Sequence, residues 1–216
     1  MAANLRRKDH EAGPRPVEGP GKIGDPAAER RRALVVTVSD GVAAGVRQDV
    51  SGDGLAHRLL ELGFAVDRAV VPDERTQIEQ LLSAAAEGHV LILTTGGTGL
   101  TPRDVTPQAT QAVIEYDVPG LPELMRAEGG RSTLYAYLSR AAAGVVRHCL
   151  IVNLPGSPRG AIDSLAALEP ILDHALMTLI GPFDHDLAPG LDRTPGGPSS
   201  MDPPHGGNSW ARPDNK

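Results

Sequence analysis

Four short apolar runs separated by amphipathic segments place the strongest constraint on how this chain can fold. The runs cover residues 33–39, 64–71, 90–95 and 150–154, and they are rich in Val, Leu, Ile and Thr. Such runs are typical of strands buried on both faces of a parallel sheet. Between them, apolar residues recur at helical spacing and predict helices over residues 51–62, 74–86, 106–116 and about 160–180, with shorter ones near 120–128 and 139–147. The pattern predicts an α/β protein with a mostly parallel sheet between two helical layers, a three-layer α/β/α fold.

Local signals place some of the helix ends. Ser51 is predicted to be the N-cap of the first helix, and Gly63 is predicted to end it. Pro107 suits the first turn of the helix that begins at Thr106. Pro170 lies inside the predicted last helix and is expected to kink it.

The two ends of the chain differ in composition from its middle. Residues 1–33 and 182–216 are polar, aperiodic and rich in Gly and Pro, which predicts disordered termini around one domain over residues 34–181. Aromatic residues make up only 3% of the chain, so the core of that domain must be built from Ala, Val, Leu and Ile. The single tryptophan, Trp210, falls in the predicted C-terminal tail.

Charge and cysteine content narrow the class of protein. The net charge of −6 makes a general nucleic-acid-binding protein a poor fit, because neutralising phosphates requires a basic surface. The single cysteine, Cys149, excludes an intramolecular disulfide and a cysteine-rich zinc site, and the scattered histidines do not have the spacing of zinc ligands. No apolar run is long enough for a membrane span, and no apolar segment follows the basic residues near the N-terminus as in a secretory signal. We therefore expect a cytoplasmic protein that does not bind membranes.

Polar residues and glycines follow each predicted strand. Ligands of open α/β sheets bind beyond the carboxyl ends of the strands, so these residues are expected to form one rim. They are Ser39 and Asp40 after the first strand, Asp73 after the second, Gly96, Gly97, Thr98 and Gly99 after the third, and Gly156 and Ser157 after the fourth.

The segment GGTGLTPRD (96–104) is the most informative part of this rim. Adjacent glycines allow the backbone N–H groups to approach phosphate oxygens, although the same turn also occurs as an ordinary strand-to-helix connection. The spacing matches neither a dinucleotide fingerprint nor a Walker loop. Asp104 favours the functional interpretation, since a carboxylate at the end of such a loop can hold Mg²⁺ against bound phosphates.

Asp73, Ser139 and Arg103 each have a structural and a functional interpretation. Asp73 is placed either to cap a helix or to share a divalent cation with Asp104. Ser139 is either a helix N-cap or a hydroxyl that contacts a ligand, and Arg103 either binds phosphate or pairs with a neighbouring carboxylate. No G-x-S-x-G motif points to a catalytic triad.

Five segments together resemble the molybdenum-cofactor-biosynthesis (MoCF) domain, the domain of molybdopterin adenylyltransferases. They are TVSDGVAAGVRQDVSG (37–52), VVPDE (70–74), TTGGTGLTPRDVTPQAT (94–110), LSRAAAG (138–144) and NLPGSP (153–158). They occur in the order of the family and span most of residues 34–181.

The resemblance implies a nucleotidyltransferase that transfers AMP from ATP to the phosphate of molybdopterin, with Mg²⁺ as cofactor and pyrophosphate as product. It implies that Asp73 and Asp104 are the catalytic and metal-binding residues, and that Ser139 belongs to the same site. It also implies that Ser39, Asp40, Gly96, Gly97, Thr98, Gly99, Gly156 and Ser157 line the substrate pocket. A homotrimer and transfer of the product to a molybdenum-insertion protein are expected on the same basis.

Two other interpretations stay open at this stage. One is a non-catalytic pterin-binding or interaction protein of the same fold, and the other is an enzyme of this fold that acts on another pterin or nucleotide. Gln108 stands where many members of the family have Glu, which removes a charge near the loop. Retention of Asp73, Asp104 and Ser139 favours the enzyme.

Overall fold

The computed structural model describes residues 31–181, which form alternating strands and helices. The elements in chain order are β1 (Arg32–Val38), α1 (Asp40–Ala43), α2 (Val50–Glu61), β2 (Ala65–Val71), α3 (Arg75–Ala85), β3 (Leu91–Thr95), α4 (Thr106–Val113), β4 (Tyr116–Asp117), α5 (Gly120–Ser132), a 3-10 helix (Leu134–Leu138), β5 (Ala143–Val146), β6 (Cys149–Leu154) and α6 (Pro158–Ile180). Pro107 lies in the first turn of α4, and Pro170 lies inside α6.

The six strands form one sheet in the order β2-β1-β3-β6-β5-β4. Strands β2, β1, β3 and β6 are mutually parallel, whereas β5 runs antiparallel to both β6 and β4. The mostly parallel sheet agrees with the prediction. Its four parallel strands are the four apolar runs of the sequence, with bounds shifted by at most one residue.

The sheet separates two hydrophobic cores, which makes the fold a three-layer α/β/α sandwich as predicted. Because side chains alternate along a strand, Ala33 and Val35 of β1 face one layer while Leu34, Val36 and Val38 face the other. The first layer contains α2, α5 and α6, and the second contains α3 and α4. Aliphatic side chains dominate both cores, as the low aromatic content requires.

The predicted helix over residues 139–147 is wrong. The 3-10 helix ends at Leu138, and residues Ala143–Val146 form strand β5, which pairs with β6. The stretch is short and mixes Ala and Gly with only two Val residues, so its strand signal is weak, and it is extended because it pairs with the edge of β6. For the same reason α4 ends at Val113 and not at Tyr116, since Tyr116 pairs with Val145 in the short strand β4.

Ser51 is not the cap of α2, contrary to the prediction. The helix begins at Val50, and its N-cap is Asp49, whose Oδ1 accepts a hydrogen bond from the Gly52 N–H at 2.9 Å. Ser51 is buried inside the first turn and donates its hydroxyl hydrogen to the carbonyl of Gly156 at 2.8 Å. The hydroxyl therefore ties α2 to the turn that follows β6.

Arg32 and Ala33, which the prediction placed in the disordered N-terminal segment, belong to β1. Residues 1–30 and 182–216, including Trp210, lie outside the described residues, so the predicted disorder there stays a prediction. Within residues 31–181, no helix has both the length and the apolar character needed to cross a membrane.

Cys149 is fully buried at the start of β6, and burial raises the pKa of its thiol to about 12.

A buried polar network joins the centre of the sheet to α4 and β5. Asn153 donates from Nδ2 to the hydroxyls of Thr94 and Thr110 at 3.0 and 2.8 Å, and its Oδ1 accepts from the Ala142 N–H at 3.2 Å. Asn153, Thr94 and Thr110 are all inaccessible to solvent. The amide thereby uses both donors and its acceptor in the interior, where an unpaired polar group is costly.

Replacing Asn153 with Leu should lower the free energy of unfolding by about 2–4 kcal/mol, because it leaves several buried polar groups without partners. Urea denaturation followed by circular dichroism measures this. Gln77→Ala on the exposed face of α3 is the control and should change stability by less than about 0.5 kcal/mol. Equal stability of the two variants would contradict the importance of the network.

Candidate active site

The candidate site lies where β1 and β3 end side by side at the carboxyl edge of the sheet. From β1 the chain crosses to β2 on one side, whereas β3 lies on the other side of β1. The connections after β1 and β3 therefore diverge and leave a crevice between them, as ligand sites in open α/β sheets commonly do. The glycine-rich segment that follows β3 borders this crevice.

Close backbone packing explains why two glycines follow β3. Gly96 and Gly97 have φ of +104° and +63°, which side-chain-bearing residues rarely adopt. A Cβ at Gly96 would lie 2.2 Å from the carbonyl oxygen of Val38, and one at Gly97 would lie 2.3 Å from Oγ1 of Thr106. Thr106 Oγ1 in turn donates to the Gly96 carbonyl at 2.9 Å. The backbone of the loop thus lies directly against the ends of β1 and α4.

A cleft of about 520 Å³ opens beside this loop. The loop and Asp104 form one wall, α5 and the 3-10 helix form another, and the start of α6 closes the third side. The lining includes seven of the predicted site residues, which are Gly97, Thr98, Gly99, Asp104, Ser139, Gly156 and Ser157. Ser39, Asp40, Asp73 and Gly96 are not among the lining residues.

Asp104 is held by the backbone of its own loop. Its Oδ2 accepts from the Thr101 N–H at 2.8 Å, and a Cβ on Gly99 would lie 3.1 Å from the same oxygen. Partial burial opposes ionisation, but the hydrogen bonds from Thr101 and Gly99 and the positive charge of Arg140 outweigh it, so the pKa of Asp104 lies below its usual value. Asp104 is therefore a carboxylate at neutral pH, facing the cleft.

Asp73 and Asp40 bind each other's backbone. Asp73 Oδ2 accepts from the Asp40 N–H at 2.9 Å, and Asp40 Oδ1 accepts from the Asp73 N–H at 3.0 Å. Asp73 does not cap α3, whose N-cap position is Glu74. Its other oxygen, Oδ1, faces the loop, since a Cβ on Gly97 would lie 3.4 Å from it. Asp73 therefore lies beside Gly97, and Asp104 lies beside Gly99 of the same loop.

Arg103 joins three connections at the carboxyl edge. Its Nη2 donates to both carboxylate oxygens of Asp40 at 2.7 and 2.9 Å, and its Nη1 donates to Glu74 at 3.0 Å. The Asp73 N–H and the Arg103 side chain hold the pKa of Asp40 below its usual value. Of the two interpretations of Arg103, the structure therefore supports the ion pair with neighbouring carboxylates.

The predicted serines have different surroundings. Ser39 accepts from the Val42 N–H at 3.4 Å and caps the short helix α1, and Ser157 accepts from the Gly160 N–H at 3.2 Å and caps α6. Ser139 is not a helix N-cap: it follows the 3-10 helix, and its Oγ accepts from the Ala141 N–H at 3.3 Å. Gly156 packs against the loop, because a Cβ there would lie 3.0 Å from the Cα of Gly96.

Sequence reasoning missed several residues of the cleft. Arg126, Tyr135, Arg159 and Asp163 line it from α5, the 3-10 helix and α6. Arg140, which follows Ser139 in the LSR segment, was also not singled out, although its backbone N–H and its Nε donate to the Thr98 and Gly99 carbonyls of the glycine-rich loop. Its position in the LSR segment was a sequence signal for Arg140. No local sequence signal marks the four residues that line the cleft from α5, the 3-10 helix and α6.

Comparison with known protein families assigns the chain to a family. Residues 34–174, more than half of the chain, match the sequence profile of the MoCF_biosynth family, which is described as "Probable molybdopterin binding domain". The chain belongs to this family. The resemblance inferred from the five sequence segments is thereby confirmed.

Relatives with assigned names lie within the same family. The molybdopterin adenylyltransferase of Helicobacter pylori strain 26695 is 35% identical over 156 residues, which are 69% of this chain and 88% of the relative. The molybdenum cofactor biosynthesis bifunctional protein of Synechococcus elongatus is 40% identical over 160 residues. That alignment includes 73% of this chain but only 50% of the cyanobacterial protein.

A solved structure supports the fold assignment. The molybdopterin biosynthesis enzyme MoaB of Thermus thermophilus is 49% identical, with a TM-score of 0.62, and the alignment covers 68% of this chain and 95% of the Thermus chain. The MoCF family member described here therefore shares its α/β/α architecture with a solved molybdopterin biosynthesis protein.

Gly96→Ala in this MoCF domain should destabilise it far more than Gly45→Ala. Both glycines have a left-handed φ, but open space surrounds Gly45, whereas a Cβ at Gly96 meets the Val38 carbonyl. We expect Gly45→Ala to cost about 1–2 kcal/mol from backbone strain alone. Gly96→Ala should cost more than about 3 kcal/mol or prevent folding, because overpacking adds to that strain. Urea unfolding of both variants tests this, and equal losses would contradict the close approach.

Proposed function

We propose that this protein is a molybdopterin adenylyltransferase that uses ATP as co-substrate. The observation that carries the proposal is the placement of the Asp73 and Asp104 carboxylates against one glycine-rich loop at the edge of a substrate-sized cleft. The names of the Helicobacter and other bacterial relatives support the choice of reaction.

The reaction joins two anionic substrates without a protein nucleophile. A phosphate oxygen of molybdopterin attacks the α-phosphorus of ATP, the bond from that phosphorus to the bridging oxygen breaks, and pyrophosphate leaves. The protein has to align the two phosphates and reduce their mutual repulsion, since positioning and charge stabilisation dominate such transfers. Backbone N–H groups of the loop and the Arg126 and Arg159 side chains in the cleft are the groups available for this.

The two carboxylates are better suited to Mg²⁺ than to a metal ion that is coordinated only by protein side chains. Within residues 31–181 no three His, Cys, Asp or Glu side chains converge to form a complete metal site. Mg²⁺ in phosphate-transfer sites commonly takes one or two carboxylates and completes its shell with phosphates and water. Asp73 and Asp104 each accept a hydrogen bond from a backbone N–H, which orients the carboxylate beside the loop where the ion would bind. When bound, the ion would neutralise charge on the phosphates.

The charge of the chain fits this assignment. A protein with a net charge of −6 repels triphosphates at long range, so local positive groups have to hold them. Arg126 contacts the Ser139 carbonyl at 3.4 Å, and no ion pair joins it to a carboxylate among the residues that the structure describes. Arg159 lies 3.5 Å from Asp163 and is largely exposed at the cleft. Both cations therefore remain accessible to anionic substrates.

Further proposals concern the setting of the reaction. We propose the cytoplasm as its compartment, because ATP and a reduced Cys149 belong there. We also propose that the adenylylated product passes to a molybdenum-insertion protein. The Synechococcus relative is named as a bifunctional cofactor biosynthesis protein, and it is about twice as long as the matched segment, which supports a second step close to this one.

Asp104→Asn and Asp73→Asn should each lower pyrophosphate release from ATP, Mg²⁺ and molybdopterin by at least about 100-fold, because a charge that stabilises the transition state is lost. Both variants should keep the fold, since an amide oxygen can still accept the backbone hydrogen bond. The matched control is Asp173→Asn on α6, where the carboxylate is exposed and pairs with Arg31.

Near-normal turnover by Asp104→Asn would overturn the role proposed for Asp104, and absence of pyrophosphate release by the original protein would overturn the proposed reaction. Calorimetry distinguishes the enzyme from the alternative of a non-catalytic pterin-binding protein. Such a protein would bind molybdopterin but would not consume ATP in the presence of Mg²⁺. This would hold for the original protein and for both aspartate variants.

We propose that the protein is a homotrimer. An apolar surface on the 3-10 helix supports association, since Leu134 and Tyr135 are 77% and 80% exposed in the single chain, and Tyr137 and Leu138 are more than half exposed. Light scattering coupled to size exclusion should give three times the chain mass of 22.6 kDa. A mass of one chain across micromolar concentrations would contradict the trimer.

A further inference from the structure

Arg140 connects the cleft-lining segment after the 3-10 helix to the loop that carries Asp104. Its backbone N–H donates to the Thr98 carbonyl at 2.9 Å, and its Nε donates to the Gly99 carbonyl at 2.6 Å. Its Nη2 donates to the carbonyl of Asp104 itself. One residue therefore holds the loop at its beginning and at its end.

These contacts connect the backbone at Ser139 and at Asp104, two residues of the candidate site. Ser139 immediately precedes Arg140 and lines the cleft, and Asp104, whose carbonyl accepts from Arg140, lines the same cleft. Within the loop, the Asp104 N–H donates to the Thr101 carbonyl at 3.0 Å, and the Thr101 N–H donates back to the Asp104 carboxylate. The loop is thus closed on itself, and Arg140 fixes this closed unit relative to Ser139.

The chemistry of the contacts requires arginine. The acceptors are main-chain carbonyls separated along the loop, and the planar guanidinium presents several N–H donors in a fixed fork. Among residues 31–181 no carboxylate forms an ion pair with Arg140, so its hydrogen bonds go to the loop backbone. A lysine has one compact ammonium group and cannot reproduce the planar fork that the two carbonyls meet.

We infer that Arg140 is a positioning residue for the AMP transfer proposed above, acting by clamping the Gly99 and Asp104 carbonyls so that the Asp104 loop and Ser139 keep a fixed separation. The inference rests on the proposed function, and it does not require Arg140 to touch either substrate. It assigns the arginine of the LSR segment a role distinct from that of the neighbouring serine.

Three variants of the protein test this inference. Arg140→Gln removes the fork and the charge, and Arg140→Lys keeps the charge but not the fork. Arg32→Gln is the matched control, because Arg32 lies at the amino edge of the sheet, is about half exposed and pairs with Asp67. Hydrogen exchange followed by mass spectrometry reports on loop 98–104 independently of activity, and kcat is measured per folded molecule with saturating ATP.

For Arg140→Gln we expect exchange of the loop amides to rise at least about tenfold while exchange in α6 stays unchanged, because a local tie is lost and not the fold. The kcat should fall about 10- to 100-fold, since small misplacements of reacting groups are costly. Arg140→Lys should lie between Gln and the original residue in both measurements. Arg32→Gln should match the original protein.

Three results would overturn the inference. One is an unchanged loop exchange in Arg140→Gln, and another is a rise in exchange that extends equally to α6, which would indicate a general structural role. The third is original activity and exchange in Arg140→Lys, which would show that charge alone suffices. Absence of pyrophosphate release by the unmodified protein would instead refute the proposed function, and the exchange measurement would still decide whether Arg140 clamps the loop.

Discussion

The close approach between the end of β3 and the end of β1 is the constraint on which the rest of the site depends. Gly96 lies so near the Val38 carbonyl that no side chain fits between them, and Gly156 packs against Gly96 from the other side. Three parallel strands therefore end within a few ångströms of one another. The loops that follow them have to diverge from this point, and the cleft is the space that their divergence leaves.

Charge is distributed around this point in opposing groups. Asp40 and Glu74, which follow β1 and β2, pair with Arg103, whereas Asp104 is held by the backbone of its own loop. Arg126 of α5 and Arg159 of α6 add positive charge to the lining of the cleft. An acidic protein can in this way offer anionic substrates a local site while its overall charge opposes them.

The accuracy of sequence reasoning varied with the kind of element. The parallel strands were predictable because they are buried on both faces and consist of uninterrupted apolar residues, as in Leu91–Thr95. Strands β4 and β5 were missed because Tyr116–Asp117 and Ala143–Val146 are short and lack alternation, and they become extended through pairing at the sheet edge. Asp49 was overlooked as the cap of α2 because Ser51, two residues later, offers the same capping chemistry.

The α/β class, the family and the residues grouped after each strand can be read from the sequence alone, because apolar runs and motif spacing are local properties of the chain. Which of those residues face the cleft and which hold the loops depends on how the chain packs. Asp104 and Ser139 line it, whereas Asp40 bonds to Asp73 and Arg103, and Arg140 ties down the loop. A hydrogen bond between residues far apart in sequence depends on the strand order and on the paths of the loops, and a local sequence pattern specifies neither of these.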